Sequence, residues 1–351
     1  MKILKKCLFS IVVLTVVALS IFGGISGIYS LVKGKSILKN NKNYNTNDEY
    51  VTKQASVENA DTIFELQKQG RGAVCIEHST HRILWGENEH EKCYPASTTK
   101  ILTAILAIEN LPLEKIVTVP KAAEGVEGSS IYLRCGQKIS VRDLLYGLIL
   151  RSGNDAALAL AIETSGRVED FAMLMNQKAK SVGAVNSHFS NPHGLDDKTH
   201  YTTAYDMALI TAYAYQNDEF CKIASAKKAT INVDGEDRYI VSKNKLLGIY
   251  DCANGVKTGY TKRDGRCLVG GAKRDGMQVV SVVFNHPDMW NDTVRMLDFA
   301  FDNFKMTPIE QGLLSKGENK VICPSAILEN ADWSRVYYPM KKDGSERLVV
   351  F

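Results

Sequence analysis

A helix over Ile101-Leu102-Thr103-Ala104-Ile105-Leu106-Ala107-Ile108 is apolar on every side of a 3.6-residue period, so it must lie inside a domain. Immediately before it stands Tyr94-Pro95-Ala96-Ser97-Thr98-Thr99-Lys100. The spacing puts Ser97 at the first turn of a buried helix, with Lys100 one turn on and on the same face. A serine that merely caps a helix looks the same locally, so context has to decide. Ser-x-x-Lys occurs five times, at Ser30/Lys33, Ser36/Lys39, Ser97/Lys100, Ser225/Lys228 and Ser242/Lys245. Only the pair at 97 and 100 leads into a buried helix.

An alcohol is a weak nucleophile at neutral pH and needs a base within hydrogen-bond reach. Lys100 can serve Ser97 in that way if it is neutral. Burial, the positive end of its own helix and a second cation nearby all favour the neutral form. A lysine at the head of so apolar a helix fits poorly as a surface charge.

Downstream, Ser140 caps a helix over Val141 to Leu150, with Asp143 at the capping-box position. That helix runs into Ser152-Gly153-Asn154-Asp155, and helical character resumes over Ala156 to Ile162. A polar break between two apolar helices is a tight interhelical loop. Further helices are expected over Val168 to Ser181, closed by Gly183, and over Thr203 to Tyr215. The turn-rich Asn191-Pro192-His193-Gly194-Leu195-Asp196-Asp197 separates them. From Asn254 the period becomes two: Gly255 to Tyr260, Cys267 to Ala272 and Met277 to Phe284 read as an antiparallel meander. Its first strand carries Lys257-Thr258-Gly259. An earlier hairpin is expected from Ala73–Ile76 and Arg82–Trp85, and Leu297 to Phe304 reads as a closing helix on the sheet. The expected class is therefore α+β.

Lys2, Lys5 and Lys6 precede 26 residues, Cys7 to Val32, without a charge. That exceeds the roughly 20 needed to span a bilayer and the roughly 7–15 of a signal-peptide core. A signal anchor is favoured over a cleaved signal peptide, after a short cytoplasmic N-terminus at 1–6, and either places the rest outside the cytoplasm. Residues 33–60 read as a flexible linker, the folded domain as 61–305 and residues 306–351 as a short C-terminal extension. A net charge of +4 with no basic run among aromatics argues against nucleic acid. Seven scattered cysteines beyond Val32 do not form a disulfide framework. His78 and His81 share a turn without a further ligand nearby, so no metal and no cofactor are called for.

Ser97-x-x-Lys100, Ser152-Gly-Asn154 and Lys257-Thr258-Gly259, in that order, resemble the penicillin-recognising serine acyl enzymes. More narrowly, Pro-Ala-Ser-Thr-Thr-Lys, Ser-Gly-Asn-Asp-Ala, Asn-Pro-His-Gly-Leu-Asp and Pro-Asp-Met-Trp-Asn-Asp at 287–292 resemble the D-alanyl-D-alanine carboxypeptidases, the low-molecular-weight penicillin-binding proteins. The resemblance covers roughly residues 61–305. It implies a β-lactamase/transpeptidase-like fold: a five-stranded, mainly antiparallel sheet flanked by helices, beside an all-helical subdomain. It also implies that Ser97 attacks the penultimate D-alanine carbonyl of a peptidoglycan stem peptide and that β-lactams acylate the same serine. By the same resemblance Ser152 relays a proton to the leaving amine and Asn154 holds the substrate amide. Lys257 and Thr258 meet the terminal carboxylate, and the strand around them, with Gly259, pairs with the peptide. The backbone N–H groups of Ser97 and Tyr260 form the oxyanion hole.

The ends depart from the common family pattern. Only 46 residues follow position 305, and Leu348-Val349-Val350-Phe351 is too short for an anchor helix. An N-terminal span would replace that anchor, and 306–351 reads as a remnant of a C-terminal β-domain. A β-lactamase would need a deacylating base, and no Glu-x-x-Leu-Asn-like segment lies between Asn154 and Lys257. A membrane-bound β-lactam sensor would need a cytoplasmic output domain, and six residues are too few for one. A catalytically silent wall-binding scaffold would keep the same motifs.

Overall fold

The computed structural model describes residues 64–66, 70–308, 319–323 and 337–350, all within the compact unit Phe64–Phe351. The expected membrane segment at 7–32, the linker at 33–60 and the start of the domain at 61 lie outside the described residues. No described helix is long and apolar enough to cross a membrane.

Thirteen strands and eight α-helices follow one another along the described chain. They are β1 (Gly72–Glu77), β2 (Ile83–Glu87), α1 (Lys100–Asn110), β3 (Ile116–Thr118), β4 (Lys138–Ser140), α2 (Val141–Leu150), α3 (Asn154–Ser165), α4 (Val168–Ser181), α5 (Ala204–Ala214) and α6 (Asp218–Ala224). Then come β5 (Lys228–Val233), β6 (Glu236–Val241), α7 (Leu246–Ile249), β7 (Ala253–Thr261), β8 (Gly265–Arg274), β9 (Met277–Phe284) and α8 (Met289–Asn303). The strands β10 (Phe304–Pro308), β11 (Asn319–Cys323), β12 (Tyr337–Lys341) and β13 (Glu346–Val350) complete the series.

The expected hairpin and meander join in one antiparallel five-stranded sheet of order β2-β1-β9-β8-β7. Both faces of its centre are buried, so side chains two apart along a strand enter the same core. Val74 and Ile76 of β1, Cys267 and Val269 of β8, and Val280 and Val282 of β9 join the larger core with the helices. Ala73, Cys75, Leu268, Val279 and Val283 face the other way, toward Met296, Leu297, Ala300 and Phe301 of α8. The α+β fold with a five-stranded sheet is as expected.

Local chemistry places the helix ends. Ser140 Oγ accepts the Asp143 N–H at the start of α2, Thr203 that of Asp206 before α5, and Asn217 that of Phe220 before α6. Past α4, Gly183 adopts φ +86°, a left-handed conformation that suits the end of a helix. The closing helix begins at Met289, eight residues before the expected Leu297. Its first two turns interleave Met289, Trp290 and Val294, which pack on the sheet-side cluster, with Asn291 bonded to Asp288 and Asp292 buried beside His286, and these polar residues interrupt the apolar stripe.

A second antiparallel sheet of order β3-β4-β5-β6 has no counterpart among the expectations. Its β5–β6 hairpin turns at Asp234-Gly235, both at positive φ, the Asp-Gly signature of a tight hairpin. At the C-terminus β10 pairs antiparallel with β12, and β11 pairs parallel with β13. Arg82, just before β2, bonds the Pro339 carbonyl and the Glu346 carboxylate.

Candidate active site

Ser97 sits on a 3₁₀ turn, Ala96–Thr99, that feeds directly into α1. The turn is fixed from within: Thr98 Oγ1 donates to Pro95 O (2.6 Å) and Thr99 Oγ1 to Ala96 O (2.8 Å). Lys100 through Ala107 are all buried, as the apolar period requires. Lys100 is 0% exposed, and its Nζ donates to Ser97 Oγ at 2.8 Å and to the His193 carbonyl at 2.6 Å. Burial holds its ammonium well below the usual lysine range, and Lys257 and Lys243 push the same way against Asp155. A neutral amine 2.8 Å from a hydroxyl is a competent general base. Among the other Ser-x-x-Lys pairs, the Ser225 hydroxyl donates to Cys221 O and the Ser242 hydroxyl accepts the Asn244 N–H. The pairs at 30/33 and 36/39 lie outside the described residues.

Ser152 and Asn154 occupy the joint between α2 and α3. Ser152 is 4% exposed at φ +63°, unusual for a residue with a Cβ, and Gly153 N–H closes the joint on Gly147 O (3.1 Å). Asn154 donates its N–H to Ser129 O (2.7 Å) and its Nδ2 to Glu127 O (2.6 Å), while its Oδ1 is buried with no hydrogen-bond partner. Asp155 is 1% exposed and gathers the loop before it: it accepts from Ser130 Oγ (2.6 Å), Leu133 N–H (3.0 Å) and Ile131 N–H (3.1 Å). The sequence reading missed this role of Asp155, although the residue adjoins the Ser-Gly-Asn triplet.

Lys257, Thr258, Gly259 and Tyr260 lie on β7, which stands at one end of the sheet order and pairs within that sheet only with β8. Lys257 is buried, donates to Thr258 O (2.8 Å), and is pushed down to about 7 by burial and by Lys243. Gly259 explains how closely this strand approaches the serine turn. A Cβ there would lie 3.0 Å from Ala96 Cβ and 3.1 Å from Ser97 N. Tyr260 is mostly exposed. The three motifs thus come from the 3₁₀ turn, an interhelical joint and a strand at the end of the sheet.

The segment 191–196 was legible as a motif, but its contacts at the site were not. His193 contributes its carbonyl, and the turn approaches so closely that a Cβ on Gly194, at φ +82°, would overlap Ala96 O. His200 Nε2 lies 2.8 Å from Thr99 Oγ1. Burial lowers His193 to about 3 and His200 to about 4, so both rings are neutral. Lys243 stands near both buried lysines. A turn rich in Asn, Pro and Gly signals tight geometry, yet no pattern shows which carbonyl a lysine will meet.

Six described cysteines are free, and burial pushes the Cys93 thiol up to about 12 and those of Cys75 and Cys267 higher still. Those three buried thiols are not competent thiolate nucleophiles. His78 lies 3.2 Å from Glu77 at the β1–β2 turn, and no group of three or more potential metal ligands occurs among the described residues.

Residues 55–288 match the family profile of D-alanyl-D-alanine carboxypeptidases. The chain is 36% identical over 254 residues to the D-alanyl-D-alanine carboxypeptidase DacF of Bacillus subtilis, covering 70% of this chain and 65% of that one. It is 35% identical over 257 residues to DacC of Escherichia coli, covering 68% and 63%. It therefore spans just under two thirds of the length of these relatives. Two crystal structures share the fold. A D-alanyl-D-alanine carboxypeptidase of Mycobacterium tuberculosis superposes with a TM-score of 0.66 at 30% identity over 70% of this chain and 96% of that one. The Streptomyces K15 DD-transpeptidase gives 0.64 at 30% over 68% and 99%. With a serine–lysine pair in contact, a Lys-Thr-Gly strand against its turn and this extent of similarity, the chain belongs to the D-alanyl-D-alanine carboxypeptidase family of serine peptidases.

Proposed function

We propose that this protein is a serine-type D-alanyl-D-alanine carboxypeptidase that trims the terminal D-alanine from peptidoglycan stem pentapeptides and so limits cross-linking. The single observation that carries the reading is the 2.8 Å contact between Ser97 Oγ and a buried Lys100 Nζ, whose charged form burial and neighbouring cations disfavour.

In this reading Lys100 takes the hydroxyl proton as Ser97 Oγ attacks the carbonyl of the penultimate D-alanine. The N–H groups of Ser97 and Tyr260 stabilise the oxyanion. The amide C–N bond then breaks, Ser152 passes a proton to the leaving nitrogen, and free D-alanine departs. Water adds to the ester on Ser97 and releases the shortened peptide. Lys257 and Thr258 receive the terminal carboxylate. The Asn154 side chain meets the substrate amide, and its unpartnered Oδ1 is an acceptor available for a peptide N–H. The peptide lies extended along β7 and Gly259, as an added strand. β-Lactams present a reactive amide to the same serine and acylate it. The substrate belongs to the cell wall, which agrees with an enzyme on the extracytoplasmic face of the membrane, held by residues 7–32.

Incubation with a peptide ending in Lys-D-Ala-D-Ala should release free D-alanine, and Ser97→Ala should abolish the release. No release from the wild type, equal release from the variant, or a penicillin adduct on another serine would refute the reading.

A further inference from the structure

The chain's second Ser-x-Asn triplet, Ser242-Lys243-Asn244, lies against the first. Lys243 N–H donates to Leu150 O (3.0 Å), the last residue of α2 and two positions before Ser152. Lys243 Nζ donates to Ser129 Oγ (2.9 Å), and the carbonyl of the same Ser129 accepts the Asn154 N–H (2.7 Å). Asn244 is 7% exposed and accepts the Leu246 N–H at the start of α7, which packs on β7. Lys243 is thereby fixed between the helical side of the site and the strand that carries Lys257.

We propose that Lys243 is a positioning residue of the acyl-transfer site, a third cation that clasps residues 127–131 onto Asn154 and sets a fixed positive charge within reach of Lys100 and Lys257. The inference rests on the reading of Ser97 and Lys100 as nucleophile and base. The groups that act on Lys100 are known from each side: Lys257 on β7, Lys243 before α7, Asp155 on α3, and the neutral rings of His193 and His200. Asp155 is the one carboxylate among them, and it is already occupied by Ser130, Ile131 and Leu133. Lys243 itself feels burial and Arg151, which lower its own affinity for a proton. A like charge held there by Ser129 and Leu150 disfavours the protonated form of both buried lysines, so Lys243 helps keep Lys100 a base.

The test compares wild type with Lys243→Met, Lys243→Gln and Lys243→Arg. Penicillin acylation of Ser97 is followed by mass spectrometry across pH, and the Cε resonances of ¹³C-lysine are titrated in the free proteins. In the Met and Gln variants the acid limb of acylation should move up by about half a pH unit, which is roughly threefold slower acylation on that limb. Arginine should restore it. The Lys100 and Lys257 resonances should titrate at higher pH in the Met variant. A role confined to holding the loop would slow acylation equally at every pH, and that result overturns the proposal. So do unchanged lysine titrations, which are read without any turnover. Absence of a Ser97 adduct in the wild type would instead sink the acyl-transfer reading, while the titrations still decide whether Lys243 acts through its charge.

Discussion

Replacing Asp155 by alanine should cost this domain about 4–10 kcal/mol. The figure follows from what the carboxylate holds: Ser130 Oγ at 2.6 Å, Leu133 N–H at 3.0 Å, Ile131 N–H at 3.1 Å and, at the head of α3, Ala156 N–H at 2.9 Å. Ile131, Leu133 and Ala156 are all buried, so alanine leaves three interior N–H groups without an acceptor. Each such group costs about 1–3 kcal/mol, and loss of the hydroxyl partner adds about 1 kcal/mol more. Set against a typical stability of roughly 5–15 kcal/mol, that is a large fraction. At roughly 2–4 °C per kcal/mol for a domain this large, the midpoint should fall by at least about 8 °C. Acylation should fall as well, measured well below the midpoint, because the freed loop carries the Glu127 and Ser129 carbonyls that orient Asn154. Asp155→Asn, which keeps one acceptor oxygen, should lie between. The assay is urea denaturation followed by tryptophan fluorescence, beside the rate of penicillin adduct formation. A loss below about 1 kcal/mol, with normal acylation, would show that the Asp155 network holds neither the loop nor the site.

Two further outcomes follow from the site. Gly194→Ala adds a Cβ at φ +82° against Ala96 O, next to the nucleophile; stability should fall by about 2 kcal/mol or more and penicillin adduct formation should drop severely, and wild-type behaviour in both assays would refute the close approach. Lys257 releases its proton at about 7 in the fold, but the unfolded chain keeps it to roughly 10.4, so between those values protons favour the unfolded state. Wild type should therefore gain stability relative to Lys257→Met as pH rises from about 7 to about 10, with a slope approaching about 1.4 kcal/mol per pH unit; denaturation curves whose difference is flat across that window would count against a depressed lysine.

Much of the fold was legible because the signals are local. The two-residue period of Gly255 to Phe284 and the apolar run after Lys100 specify strands and a buried helix from neighbouring residues alone. Ser140 and Thr203 mark helix starts by a hydrogen bond that spans three residues. The β5–β6 hairpin was missed although Asp234-Gly235 carries a turn signature, because the strands around it alternate only weakly: β5 buries Ile231 and Val233, and β6 only Ile240. The start of α8 was missed because Asn291, Asp292 and Arg295 interrupt its apolar stripe.

The sequence by itself determined the chemistry available. It supplied a serine and a lysine one turn apart, a Ser-Gly-Asn joint between two helices, and a Lys-Thr-Gly strand, each fixed by short-range periodicity. The tertiary structure alone decided how those pieces act on one another. It buried Lys100, brought the His193 carbonyl from 93 positions away, and set Lys243 and Lys257 close enough to disfavour its charge. Proton affinity depends on solvent exclusion and on charges nearby in space. Neither is a property of neighbours along the chain, so a Ser-x-x-Lys pattern that occurs five times does not by itself say which lysine is a base.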